Sequence, residues 1–146
     1  MTGADASAAA AVAAVADVAA VRATSIHAQD VGRADPHAPA GAARDVDVQI
    51  EMTVKRQAAK ARVLYDVHFV MSSPPRRKAP GTSIEVTYRV LVKLPAGKSF
   101  DKEELRAYGS ATVVPTTYPF FREACQSLTA RLGRPMTLGL LPTPIG

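Results

Sequence analysis

The sequence is short of the residues that carry most covalent and redox chemistry. A single cysteine, Cys125, occurs in 146 residues, which excludes an internal disulfide and fits a reducing cytoplasm. Three histidines, His27, His37 and His68, lie far apart, and none stands at ligand spacing from a cysteine or an acidic pair. No familiar metal motif is therefore present. There is no glycine-rich phosphate loop between a strand and a helix, and no serine sits in a nucleophile elbow. These absences leave no catalytic residue to name and no metal or cofactor to expect. The chain does not read as an enzyme. Tryptophan is missing and aromatic residues make up 5 %, so Tyr65, Phe69, Tyr88, Tyr118, Phe120 and Phe121 supply most of the large rings. No stretch is long and apolar enough to span a membrane, so no membrane insertion is expected.

Acidic residues are the minority charge. Eighteen Lys and Arg face thirteen Asp and Glu, giving a net charge of +5 and a pI near 9.7. Such a balance favours acidic partners without naming one. The length suits one domain with a real core. An alanine-rich segment, residues 1–20, precedes it, and a single domain occupies residues 21–146. No Lys or Arg comes before Arg22, and Asp5 and Asp17 interrupt the alanines, so the segment lacks the pattern of a secretory signal. Alanine is the best helix former, and a helix over Ala4 to Ala20 is expected.

Four strands follow. The first, Val21 to Val31, has a mixed pattern, and residues 32–44 read as a loop on Gly32, Pro36, Pro39 and Gly41. From Asp45 to Lys55 the alternation is complete: Val46, Val48, Ile50, Met52 and Val54 point one way and polar residues the other. Val63, Tyr65, Val67, Phe69 and Met71 repeat it, and so do Ile84, Val86, Tyr88, Val90 and Val92. Basic connections, Arg56 to Lys60 and Pro74-Pro75-Arg76-Arg77-Lys78, join these strands. Polar-out alternation marks an antiparallel sheet with helices on one side. The outward face is interrupted by Leu64, Val70 and Leu91. The fold class is α+β: a four-stranded antiparallel sheet followed by two helices packed on one face.

Asp101, with Glu104 three residues on, reads as a capping box for a helix from Lys102 to about Thr112, ended by Gly109 and Val113-Val114-Pro115. A second helix opens around Tyr118-Pro119-Phe120-Phe121-Arg122-Glu123, with Thr116 or Thr117 as its cap. Its apolar stripe runs through Phe121, Cys125, Leu128 and Leu132, and Gly133 and Pro135 stop it. Cys125 on that stripe reads as a buried, inert thiol. Arg122 is expected to reach a carboxylate or a helix end elsewhere and so fix how the helix docks. The proline-bracketed run Met136 to Leu141 should lie extended on a surface. The sheet presents more apolar area than these helices can cover, which leaves oligomerisation or an open groove.

The ordered series over Glu103 to Leu141 resembles the C-terminal half of the SecB export chaperones. It comprises Leu105-Arg106-Ala107-Tyr108, then Tyr118-Pro119-Phe120-Phe121-Arg122-Glu123, then a Pro and a Leu-x-Leu run. It is most similar to the SecB-like chaperones that accompany some actinobacterial toxin–antitoxin pairs. The resemblance implies an ATP-independent holdase, a dimer of dimers, which holds unfolded polypeptides in hydrophobic grooves. It places Tyr118, Phe120, Phe121, Leu128, Met136, Leu138 and Leu140 at the groove. It implies unfolded preproteins or an antitoxin as partners, in the cytoplasm. The export chaperone is acidic and docks its sheet face on the translocation ATPase. Here the chain is basic and stops four residues after Pro142, which speaks against that partner and against a further C-terminal helix. A different function class fits the charge alone: a basic binding module for nucleic acid or another acidic surface, without chaperone activity.

Overall fold

The computed structural model describes residues 2–38, 46–57, 61–133 and 138–139. Helix α1 (Gly3–Ala13) leads into a sheet of four strands, β1 (Asp17–Val31), β2 (Asp47–Gln57), β3 (Arg62–Ser73) and β4 (Gly81–Lys93). Helix α2 (Lys102–Tyr108) follows, then a π-helical turn (Gly109–Val113) and helix α3 (Val114–Arg131). Every strand pair is antiparallel, in the spatial order β1-β4-β3-β2. The four-stranded sheet with helices on one face is the architecture expected from the alternation.

Two boundaries differ from expectation. The first strand begins at Asp17 rather than Val21, inside the alanine-rich segment, and the N-terminal helix ends at Ala13. That helix is set by a reciprocal capping box between Thr2 and Asp5. Alanine's helix preference then yields to pairing with β4, which starts at Asp17 opposite Lys93. Val12 is fully buried in the main core, and α1 packs against α2.

The second difference is at the helix junction. Asp101 and Glu104 form the expected capping box, each bond 2.8 Å long. Gly109 and Val113-Val114-Pro115 do not end the helical path. The π-turn carries it straight into α3, and Pro115, which has no N–H to give to the preceding turn, falls at the junction where the hydrogen-bond ladder changes. Pro119 consequently lies inside α3 rather than in its first turn. Thr116 and Thr117 are not caps: their hydroxyls donate back to the carbonyls of Thr112, Val113 and Val114. Gly109 sits at the turn because the helix crosses the sheet closely there. A Cβ on it would lie 2.5 Å from the Met52 sulfur and 2.8 Å from the Tyr65 ring. The Tyr65 hydroxyl, buried in the same place, donates to the Leu105 carbonyl at 2.7 Å.

The core is the inward face of β3 and β4 under these helices. Val63, Tyr65, Val67, Phe69 and Met71 of β3 are buried, as are Ile84, Val86, Tyr88, Val90 and Val92 of β4. Phe121 lies flat on Phe69, with ring centroids 4.8 Å apart and planes 13° apart. On the outward face Leu64 stands directly opposite Leu91, whereas Val70 faces Gln49 and Glu85. Between them lie Asp66 paired with Arg89, two parallel bonds of 2.9 Å, and His68 beside Thr87 at 2.8 Å. The three outward apolar residues therefore do not form one patch.

Candidate functional site

Register places Ile26, Val86, Phe69 and Ile50 in one row across the inward face, one residue from each strand. All four are apolar and all face the helices, but their exposures differ. Val86 and Phe69 are fully buried, while Ile26 is 58 % and Ile50 37 % exposed. Helix α3 covers the middle of the sheet and leaves apolar ledges along both edges. The neighbouring row repeats the pattern: Tyr88 and Val67 are buried, Ala23 on β1 is exposed and Met52 on β2 is half-buried.

Phe120 extends the ledge on the β1 side. Its ring is 50 % exposed and its centroid lies 6.3 Å from that of Tyr88, whose strand partner is Ala23. The resulting surface is apolar, with the Tyr88 phenol within it and the exposed Glu123 carboxylate, one turn along α3 from Phe120, near enough to act on that phenol. Burial pushes that phenol up to about 12, so it stays neutral at physiological pH.

The structure separates the other groove candidates. Phe121 is fully buried, and Tyr118 is 6 % and Leu138 4 % exposed. Leu128 is half-buried and packs against the core. Met136 and Leu140 lie outside the described residues. So Phe120 presents an open surface, while Phe121, Tyr118 and Leu138 belong to the buried core. Sequence reasoning overlooked Ile26, and it took Arg122 to a carboxylate or a helix end. Arg122 instead donates through Nε to the Leu138 carbonyl at 2.7 Å, and the Tyr118 hydroxyl donates to the Gly139 carbonyl at 2.9 Å.

Chemistry of other kinds finds little purchase. Cys125 is fully buried, and burial pushes its thiol up to about 12, which leaves no thiolate at neutral pH. Among the described residues no group of three or more His, Cys, Asp and Glu could hold a metal ion. No helix among them is long and apolar enough to cross a membrane. Of the cations expected in the connections, Arg56 instead belongs to β2, opposite Val63, and donates to the Phe100 carbonyl at 3.0 Å; Arg77 donates to the Ala38 carbonyl at 2.7 Å, and Lys60 lies outside the described residues. Arg56 and Arg77 are thus engaged with the protein's own backbone.

No family model matches the sequence, and no curated protein matches it. The solved structures do. The Mycobacterium tuberculosis Rv1957 SecB-like chaperone, in complex with a ChAD peptide from the Rv1956 HigA1 antitoxin, superposes with a TM-score of 0.75. The match spans 97 % of this chain and 100 % of that one, at 22 % identity. The chain has a SecB-like fold. A protein of unknown function from Streptococcus agalactiae also aligns, over 86 % of this chain and 97 % of that one at 10 % identity, but its TM-score of 0.45 carries no argument. The SecB-like fold agrees with the resemblance read from Glu103 to Leu141, and the neighbour is a chaperone that binds an antitoxin peptide.

Proposed function

We propose that this protein is an ATP-independent holdase that binds unfolded polypeptide segments along the apolar ledges beside α3. The observation that carries this reading is the row Ile26–Val86–Phe69–Ile50, buried in the middle and exposed at both ends. Isolated apolar residues on a surface mean little, but ledges continuous with the core, the one on the β1 side extended by the Phe120 ring, offer burial to a flexible apolar chain. Burial contributes about 25 cal/mol per Å² before ordering costs, and it demands no particular client sequence.

Clients of this chemistry are an antitoxin's apolar segment or unfolded preproteins. The neighbour's antitoxin peptide favours the first, and the basic charge disfavours docking on the translocation ATPase. The exposed apolar residues of β1 also favour self-association, and a dimer of dimers is the assembly we expect. A cytoplasmic setting fits the one buried thiol.

The experiment is suppression of aggregation. A chemically unfolded client diluted into the purified protein without ATP should stay soluble at stoichiometric protein. Aggregation at the same rate with and without the protein would contradict the proposal.

A further inference from the structure

The outward face of the sheet, turned away from the helices, carries its charges unevenly. At the end where β2 and β4 finish, register sets three neighbouring rows side by side. The outermost has Lys93 opposite Arg62, with Asp17 at its β1 end. The third has Arg22 opposite Arg89, and Arg89 opposite Asp66. Between them runs an apolar bar, Ala20 opposite Leu91 and Leu91 opposite Leu64, which ends in Lys55. Five cations thus stand against two carboxylates. In the rows beyond, the sign reverses: Glu51 lies opposite His68, Glu85 opposite His27 and Asp47 opposite Ser72.

Two features of the basic half call for a partner. Like charges that face each other across strands destabilise a sheet, and Lys93–Arg62 and Arg22–Arg89 are both such pairs. Asp17 beside Lys93, and the two 2.9 Å bonds from Arg89 to Asp66, offset only part of that repulsion. The apolar bar is the second feature. Arg22, Lys55 and Lys93 around it are exposed, and Leu64 and Leu91 are only half-buried. At about 4.8 Å between strands and about 3.4 Å per residue, the three rows cover a square of about 14 Å.

We infer that this half of the outward face is a docking surface for an acidic peptide segment of a partner protein, with an apolar residue among its carboxylates. The carboxylates come between the facing cations, and the apolar side chain lies on Leu64 and Leu91. A square of that size takes about four residues of extended chain. The acidic rows beyond repel a longer acidic run and so fix where the segment lies. Nucleic acid fits this surface less well. No aromatic ring stands in the three rows to stack a base, and Asp17 and Asp66 oppose phosphates. The surface lies on the opposite face of the sheet from Ile26 and Ile50. Docking here is therefore separate from the holding function proposed above and does not rest on it.

The test is fluorescence-polarisation binding, to the full chain, of a short labelled peptide of glutamates with leucines among them. Control peptides replace its glutamates by lysine or its leucines by serine. The Glu-Leu peptide should bind at low salt and the Lys-Leu peptide should not. Arg22→Gln with Lys93→Gln should weaken binding about tenfold without lowering the melting temperature, since both side chains are exposed. Leu64→Thr should bring the Glu-Leu and Glu-Ser peptides to the same affinity. A saturating unfolded client should leave the peptide bound. No binding by the wild type, unchanged binding in the double variant, equal binding of the Lys-Leu peptide or displacement by client would each overturn the docking surface. An oligothymidylate that binds as tightly, and weakens in the same variant, would overturn the peptide and assign the surface to nucleic acid. A fall in mass by light scattering in that variant at low salt would overturn it in favour of the acidic rows of a second copy.

Discussion

Strands β2 and β3 read alike in the sequence and behave differently in the fold. Both place an apolar residue at every second position through their middles, Val48 to Val54 and Val63 to Met71, and they pair along their whole length from Asp47 opposite Ser72 to Gln57 opposite Arg62. Yet the inward residues of β3 are all buried, whereas Val48, Met52 and Val54 of β2 are half-buried and Ile50 is exposed. Position in the sheet makes the difference: β3 has a neighbour on each side and α3 above, while β2 is an edge. Alternation declares which residues belong to an apolar face, and it says nothing about who covers that face. In this protein the uncovered part is where function is proposed.

The comparison breaks hardest at the centre. Phe121→Ala removes the ring stacked on Phe69 and should cost about 3–5 kcal/mol of stability, measured by denaturant unfolding. A loss below about 1 kcal/mol would mean that the central face is no better packed than its edges. Gly109→Ala comes next. Its new methyl meets the end of the Met52 side chain, which has room to move, and the edge of the Tyr65 ring, which is buried and has less. A loss of about 1–3 kcal/mol is expected, with the π-turn lifted from the sheet.

A smaller effect concerns the outward face. The hydrogen bonds from Arg89 hold the Asp66 carboxyl below its ordinary value of 3.8; burial opposes them, and the nearby Arg89 and Lys55 charges help. A depressed folded-state pKa stabilises the protein above the unfolded value, and the gain is lost as pH falls through the folded one. Acidification below about pH 4 should therefore erode part of the stability, and Asp66→Asn should flatten that part of the profile. Both side chains are partly solvated, at 41 % and 33 % exposed, so the effect should stay under about 1 kcal/mol. An unaltered acid limb in Asp66→Asn would show that the pair contributes nothing.

The smallest stability effect belongs to the edges. Ile26→Ser and Phe120→Ala should each shift unfolding by no more than about 0.5 kcal/mol, because both residues are already half in water. Client capture should nevertheless weaken in each. A large fall in melting temperature for Phe120→Ala would return that ring to the core.

How far the sequence discloses this arrangement varies along the chain for physical reasons. Strands β2, β3 and β4 are legible because their inward positions are apolar at every second residue, even where Leu64, Val70 and Leu91 interrupt the polar face. Strand β1 is hidden twice over. Its alanines favour helix, and irregularities between Val18 and Ala20 and between Ala23 and Ser25 shift its register. Its inward residues Val18, Val21, Ala23, Ile26 and Ala28 consequently fall at uneven spacing, so Ile26 gives no periodic signal. The π-turn is hidden because Gly109 and Pro115 ordinarily end helices. Phe120 is legible as a ring on a helix, but its exposure depends on which side of α3 faces Phe69. The partner of Arg122 is illegible, since a backbone carbonyl sixteen residues away leaves no mark in side-chain chemistry.

The account's central claim is that apolar ledges, and not surface charge, hold the client. Stopped-flow binding of a labelled unfolded protein at several ionic strengths tests it most directly. Apolar burial barely responds to moderate salt, whereas binding by charge weakens steeply as counterions compete. Raising salt from low to physiological strength should slow capture of acidic clients and leave the dissociation rate nearly constant, with Arg76, Arg77 and Lys78 all changed to Gln reproducing the slower capture. Dissociation that accelerates by orders of magnitude over the same range would contradict the account and mark the protein as a basic module for nucleic acid or another acidic surface.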